Sequence, residues 1–183
     1  MEDQAERIER IDRGQGSGAG RSADGASPAG GGRDRGLADQ RMVPRLLAHW
    51  RDAQGEGGFP SIDAILKRDL GNILPLIFVL EVPAHAWELV FVRVGKSFAS
   101  EVSGDLTGRP VSAVPEGTLL EQAVGIYDEV LAKKVPITRD GEFEHVQCGT
   151  VLYRSIILPL SEGQGTIDFL LGAANFKIKD EEA

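Results

Sequence analysis

A single stretch of helical period, residues 116–134, stands between two groups of strand-like segments, and that arrangement leaves few architectures open. Within it Leu119, Leu120, Ala123, Ile126, Tyr127, Val130 and Leu131 recur at three- and four-residue steps. Glu116 at its start and Lys133-Lys134 at its end suit the helix dipole, and Pro136 stops it. Before it, Leu76-Ile77-Phe78-Val79-Leu80-Glu81-Val82 is β-branched and aromatic and too short for a typical helix, so it reads as a buried strand. A tight connection over residues 83–86 leads to a second strand over 87–94, paired with the first as a hairpin. Residues 96–102 read as a short helical segment, and Gly104, Gly108 and Pro110 punctuate an irregular one. After the helix come three strands, over 137–147, 151–160 and 167–176. Strands, then helices, then strands predict an α+β domain: a five-stranded antiparallel sheet with helices on one side.

The segment ahead of the sheet divides in two. Residues 1–40 hold 9 of the 23 glycines and only four large apolar residues, Met1, Ile8, Ile11 and Leu37. Such a stretch buries too little apolar surface to offset roughly 1–2 kcal/mol per residue of ordering entropy. It is expected to be a disordered tail. Its run Gly14-Gln15-Gly16-Ser17-Gly18-Ala19-Gly20 lacks the preceding strand, the following helix and the Lys-Ser/Thr ending of a phosphate loop. Residues 41–72 form an N-terminal helical extension. Leu46, Leu47 and Trp50 mark one face of a helix over 41–53, and Ser61 caps a second over 62–70. The domain proper spans 73–178, and 179–183 is a short tail.

Charge and composition narrow the class. With 20 Lys+Arg against 28 Asp+Glu the formal net charge is −8, which argues against a phosphate-neutralising nucleic-acid binder. One cysteine, Cys148, excludes an internal disulfide framework and a cysteine zinc cluster. The longest nearly apolar run, residues 73–82, is too short to span a bilayer. The polar start Met1-Glu2-Asp3-Gln4 is unlike a secretory signal, so the expected location is cytoplasmic.

The local strings are more specific than the strand order. Trp50 with Arg51, Phe59-Pro60-Ser61, and Leu74-Pro75 running into the first strand come first. Phe91-Val92-Arg93-Val94-Gly95 and Gly104-Asp105-Leu106-Thr107-Gly108-Arg109 follow, then Tyr127, Val135-Pro136 and Tyr153-Arg154-Ser155-Ile156-Ile157-Leu158-Pro159-Leu160-Ser161. Over residues 42–177 the chain resembles the stand-alone PAS-like domain family of alphaproteobacteria, PAS_5. It departs from the family after Ser61, where Ile62-Asp63-Ala64-Ile65 replaces an Arg and paired acidic residues. The resemblance implies a non-catalytic sensory or signalling module that binds a small ligand or a partner protein. With no output domain visible after the last strand, the signal is expected to pass in trans to a separate signalling protein. A symmetric homodimer through helix 41–53 and the outer sheet face is expected on the same grounds.

The family's cofactor types can be set against residues. A haem needs an axial ligand, typically a His on the long helix. The histidines are His49, His85 and His145, none of them there, and each reads as exposed or at a rim. A photoactive flavin needs a cysteine on the short helix, and Cys148 lies at a strand turn instead. Haem and flavin are therefore disfavoured and the cofactor is open. A dicarboxylate sensor would need converging basic residues, with Arg93, Arg109 and Arg154 the candidates. The expected pocket lining is Phe78, Leu80, Phe91, Val94, Phe98, Leu106, Arg109, Leu120, Val124, Phe143, Tyr153, Ile157 and Phe169, suited to a small apolar ligand or simply to a filled core. No metal-ligand spacing and no nucleophile motif is present, so no catalytic residue is assigned. The alternative is a small-molecule enzyme or carrier on an NTF2-like α+β scaffold, for which Asp168 and His145 would have to meet.

Overall fold

Helices, then a hairpin, then a helical stretch and three strands follow one another in the computed structural model, which describes residues 41–85, 87–163 and 165–179. The expected tail over 1–40 lies outside the described residues, as does the expected tail over 179–183 apart from Lys179, whose N–H donates to the Thr150 carbonyl at 3.0 Å. The elements are α1 (Met42–Gln54), α2 (Ile62–Leu66), β1 (Ile77–Glu81), β2 (Val90–Val94), α3 (Leu119–Val124), α4 (Tyr127–Lys133), β3 (Ile137–His145), β4 (Gly149–Leu160) and β5 (Phe169–Ile178), with short 3-10 turns at Gly71–Leu76, Lys96–Phe98 and Val111–Ala113.

The five strands form one antiparallel sheet in the order β2-β1-β5-β4-β3. The last strand in sequence therefore sits at the centre, between the first and the fourth. Along β5 the side chains alternate as expected. Phe169, Leu171 and Ala173 enter one core, and Leu170 and Ala174 enter the other. Both faces are apolar because both are covered. α3 and α4 lie on one face, called inner here. α1 and α2 lie on the outer face.

α1 ends at Gly55, whose φ of 59° suits glycine. Its apolar stripe Met42, Val43, Leu46 and Trp50 is buried against Ile156, Leu158, Leu160, Phe169 and Leu171 of the sheet. Each such side chain contributes about 1.5–3 kcal/mol when fully removed from water. The Trp50 indole N–H also donates to the Pro159 carbonyl at 2.8 Å. Ser61 caps α2 by accepting the Ala64 N–H, as its position predicts. The first helix thus packs on the sheet of its own chain.

The structure corrects two expectations. The helix expected over 116–134 is two helices. It begins only after Thr118, whose hydroxyl accepts the Glu121 N–H. It breaks at Gly125-Ile126, where glycine costs the helix about 1 kcal/mol relative to alanine. The apolar period survives the break, since Ala123, Ile126 and Val130 are all buried, so the pattern reads as continuous. The second strand is shorter than expected. It starts at Val90, and Trp87 stands fully exposed in the connection before it.

Candidate functional site

The expected pocket lining falls mostly on the inner face, between the sheet and α3 and α4, so the filling of that face decides what the site can hold. Phe78 on β1, Phe91 on β2 and Phe98 in the turn after β2 are fully buried. Phe78 meets Phe91 edge-on at 6.4 Å between ring centres and Phe98 at 6.0 Å. Leu80, Leu106, Leu120, Val124, Tyr153 and Ile157 close around them, and Val94 and Phe143 sit half-buried at the margin. These expected lining residues do share one face.

Two others do not. Phe169 points to the outer core beside Trp50, because it alternates with Leu170, which faces inward. Arg109 is exposed in a loop. Arg93 lies opposite Val79, an outer-core residue, and Arg154 is flanked by the inward Tyr153 and Ser155, so both stand on the outer face. The three arginines therefore do not converge on the inner face. A separate open groove of about 630 Å³ lies at the far end of β1, lined by Glu81, Val82, Pro83, Ala84, His85, Glu162, Asp168 and Phe169. None of the three phenylalanines of the inner core lines it.

A buried histidine and a buried carboxylate face each other beside the inner core, and the sequence signalled only one of them. His145, expected at a rim, is buried at the end of β3, with its side chain 1% exposed, and Glu101 opposite it is 2% exposed. The alternation that puts His145 on the face of Phe143 was the available signal. Glu101 carried none. The His145 Nδ1 accepts the Gln147 N–H at 3.1 Å, so the ring proton is on Nε2. Nε2 lies 3.2 Å from Oε1 of Glu101, its N–H directed off that oxygen rather than along the line between them. Oε2 of Glu101 takes the Leu120 N–H at the start of α3, at 3.3 Å. Phe176 stacks on the imidazole at 4.9 Å, and Phe143 tilts against it at 5.9 Å. Asp168 belongs elsewhere: it accepts the Glu162 N–H at 2.8 Å and the Ser161 hydroxyl, beside the end of β4. His145 pairs with Gly149 at the other end of that 12-residue strand. The two are about 35 Å apart along it, so the acid–base pair an NTF2-like enzyme would need is not assembled. Among the described residues no cluster of three or more His, Cys, Asp or Glu side chains is placed to hold a metal.

A five-stranded antiparallel sheet in this order, with its inner face under short helices, meets a sequence match to PAS_5, a PAS domain, over residues 39–175. The chain belongs to the PAS_5 family. Among solved structures, this PAS domain is similar to a sensory box sensor histidine kinase from Vibrio cholerae, at 15% identity and TM-score 0.43, covering 79% of this chain and 98% of that one. It is also similar to the PAS domain of Bordetella pertussis BvgS, at 14% identity and TM-score 0.37 over 78% of this chain and 88% of that one. The Rhodobacter sphaeroides LOV protein matches at 11% identity and TM-score 0.40 over 75% and 68%. No curated protein matches the chain.

The distinctive string Asp105-Leu106-Thr107-Gly108-Arg109 has a structural job in this PAS domain. Its backbone straps the outer edge of β2. The Gly108 N–H donates to the Phe91 carbonyl at 2.7 Å, and the Phe91 N–H donates to Arg109 at 2.9 Å. Gly108, at φ 79°, makes the bend possible. Leu106 plugs the inner core. Asp105 closes the loop by accepting the Thr107 N–H at 2.8 Å. That bond, with help from the Thr107 hydroxyl, holds the Asp105 carboxyl below its ordinary value, against a small opposing effect of burial. A carboxyl depressed on folding stabilises above its unfolded value and loses that stabilisation as pH falls through the folded one. The expected outcome is that the urea midpoint of the parent falls more than that of Asp105→Ala between about pH 5 and pH 3. Parallel losses would remove the role given to this carboxylate.

Proposed function

We propose that this PAS domain is a non-catalytic signalling module that works in trans through contact with a separate partner protein. PAS domains serve sensory signalling, and among the described residues no helix is long and apolar enough to cross a membrane. The observation that carries the reading is the filling of the inner face. Phe78, Phe91, Phe98, Leu120, Ile126 and Val130 occupy it at 0–2% exposure. A core packed like that leaves a bulky planar cofactor nowhere to lie without displacing several large side chains, each worth kilocalories. A small apolar ligand entering by rearrangement at a half-buried margin, by Val94 on one edge strand or by Phe143 on the other, is the second form of the same reading.

The test is native purification, an absorption spectrum through the near-ultraviolet and visible, mass spectrometry of the denatured supernatant, and affinity capture from the native host. A colourless, empty protein that captures a partner dependent on the intact fold is the expected result. A Soret or flavin band at stoichiometric level would overturn the reading. A colourless bound molecule would select its small-ligand form.

A further inference from the structure

Segment 100–101 and the β3–β4 turn are tied together at two points. Glu101 faces His145, and the Gln147 side-chain amide donates to the Ser100 carbonyl at 2.7 Å. The turn itself is held by His145, whose Nδ1 accepts the Gln147 N–H and whose carbonyl accepts the Cys148 N–H at 3.3 Å. An imidazole nitrogen accepts a hydrogen bond only while it carries no proton. A proton on Nδ1 would set two N–H groups against each other at the Gln147 contact. It would also place a cation beside the buried Glu101 carboxyl, where opposite charge is favourable. The same proton thus breaks the bond inside the turn and strengthens the contact between the ring and Glu101.

The geometry points to a proton-operated latch: His145 in its neutral form holds the β3–β4 turn by accepting the Gln147 N–H, and its protonation gives up that bond and draws the imidazolium onto Glu101. Among the described residues, the charged side chains of the flanking elements lie elsewhere, and Glu116, beside the Gly117 carbonyl that accepts the Val146 N–H at 2.9 Å, is exposed. On β3 itself, Glu144 points to the opposite face and bonds Thr150. On β5, Lys177 follows the inward Phe176 and so faces away, and Lys179 pairs with Glu142 at 2.7 Å. On α3, Glu121 is committed to the Gly117 N–H at 2.7 Å. On β4, the residue opposite His145 is Gly149, and on segment 100–101 the facing group is Glu101. The turn carries Val146, 64% exposed and bound through its N–H to the Gly117 carbonyl, so loosening at Gln147 acts next to an exposed apolar side chain that a partner can read. The latch does not depend on the signalling reading above, since its test uses no partner.

The experiment is amide hydrogen exchange and nitrogen-resolved NMR of the full chain from about pH 8 to about pH 5, the interval in which histidines ordinarily change charge. The Gln147 protection factor is expected to fall about fivefold on acidification, as loss of one hydrogen bond implies. The Ser100 and Val146 amides should shift with the same midpoint. His145→Asn keeps a side-chain acceptor two residues before the Gln147 N–H but cannot titrate, so its Gln147 protection should not change with pH. Should that variant not fold, Glu101→Gln removes the carboxylate that faces the ring, and the acid loss of Gln147 protection should then need a lower pH than in the parent. Constant protection in the parent, equal loss in His145→Asn, or an unmoved midpoint in Glu101→Gln would each overturn the latch.

Discussion

Gly172→Ala is expected to destabilise the domain by about 3 kcal/mol, at the top of the range for overpacked cores. A Cβ at Gly172 would fall 2.0, 2.3 and 2.5 Å from three carbons of the Phe78 ring. The ring lies directly on the glycine, and it cannot retreat. Phe91 and Phe98 stand edge-on against it and are themselves fully buried. Gly172 also lies on the central strand, opposite Phe78 on one side and Ile157 on the other, so the backbone is held from both edges. The melting temperature should drop by about 10 °C. Phe78→Leu alone should cost less, and in the Gly172→Ala background it should restore part of the loss, because the pair shares one space. A double-mutant cycle by urea denaturation reads that coupling. Simple additivity of the two losses would show that the contact is not where the cost arises.

The second large effect lies on the other face. Trp50→Ala is expected to cost about 4 kcal/mol, the ordinary range for truncating a buried tryptophan. The indole fills the space between α1 and the outer face, and its N–H serves the Pro159 carbonyl. Pro159 stands where β3 has ended its pairing with β4, which stops at Ile157, so β4 there has a strand neighbour on one side only. That position tolerates proline, which lacks an N–H of its own. Trp50→Phe keeps most of the bulk and removes the donor, and should cost about 1–3 kcal/mol for the carbonyl left buried without its partner. Loss of α1 docking would bare Ile156, Leu158, Leu160 and Leu171, so Trp50→Ala should also scatter light on warming before Trp50→Phe does. Equal stability of the two variants would assign the whole effect to the hydrogen bond and none to the packing.

Much of this architecture was legible in the residues, because strands here carry their period openly. Ile77 to Glu81, Val151 to Leu160 and Phe169 to Ala174 are apolar enough to fix strand positions within a few residues. Which face of a strand meets which helices was less legible. When both faces are covered, both rows of side chains are apolar, and parity alone does not label them. That is why Phe169 was expected beside Phe78 and is found beside Trp50. Gly125 breaks a helix whose apolar stripe continues unbroken through Ile126 and Val130, so periodicity hid the break. Gly172 and Gly95 are long-range features. A Cβ at Gly95 would meet the Pro75 carbonyl at 2.2 Å, a contact that no local string announces. Glu101 sits in a run of small and polar residues, and only the tertiary fold turns its side chain inward to His145.

The central place of β5 governs the order in which this chain can acquire its shape. Without residues 169–178 there is no sheet, only two separate hairpins: β1 with β2, and β3 with β4. β5 joins them, pairing Ile77–Glu81 on one side and Val151–Leu160 on the other. During synthesis the N-terminal helix emerges early and waits, since most of the surface it covers is completed last. A product shortened before residue 169 is therefore not a smaller version of the domain. It is a chain with two apolar hairpins and an unplaced amphipathic helix, in the condition most prone to aggregate or to engage a chaperone.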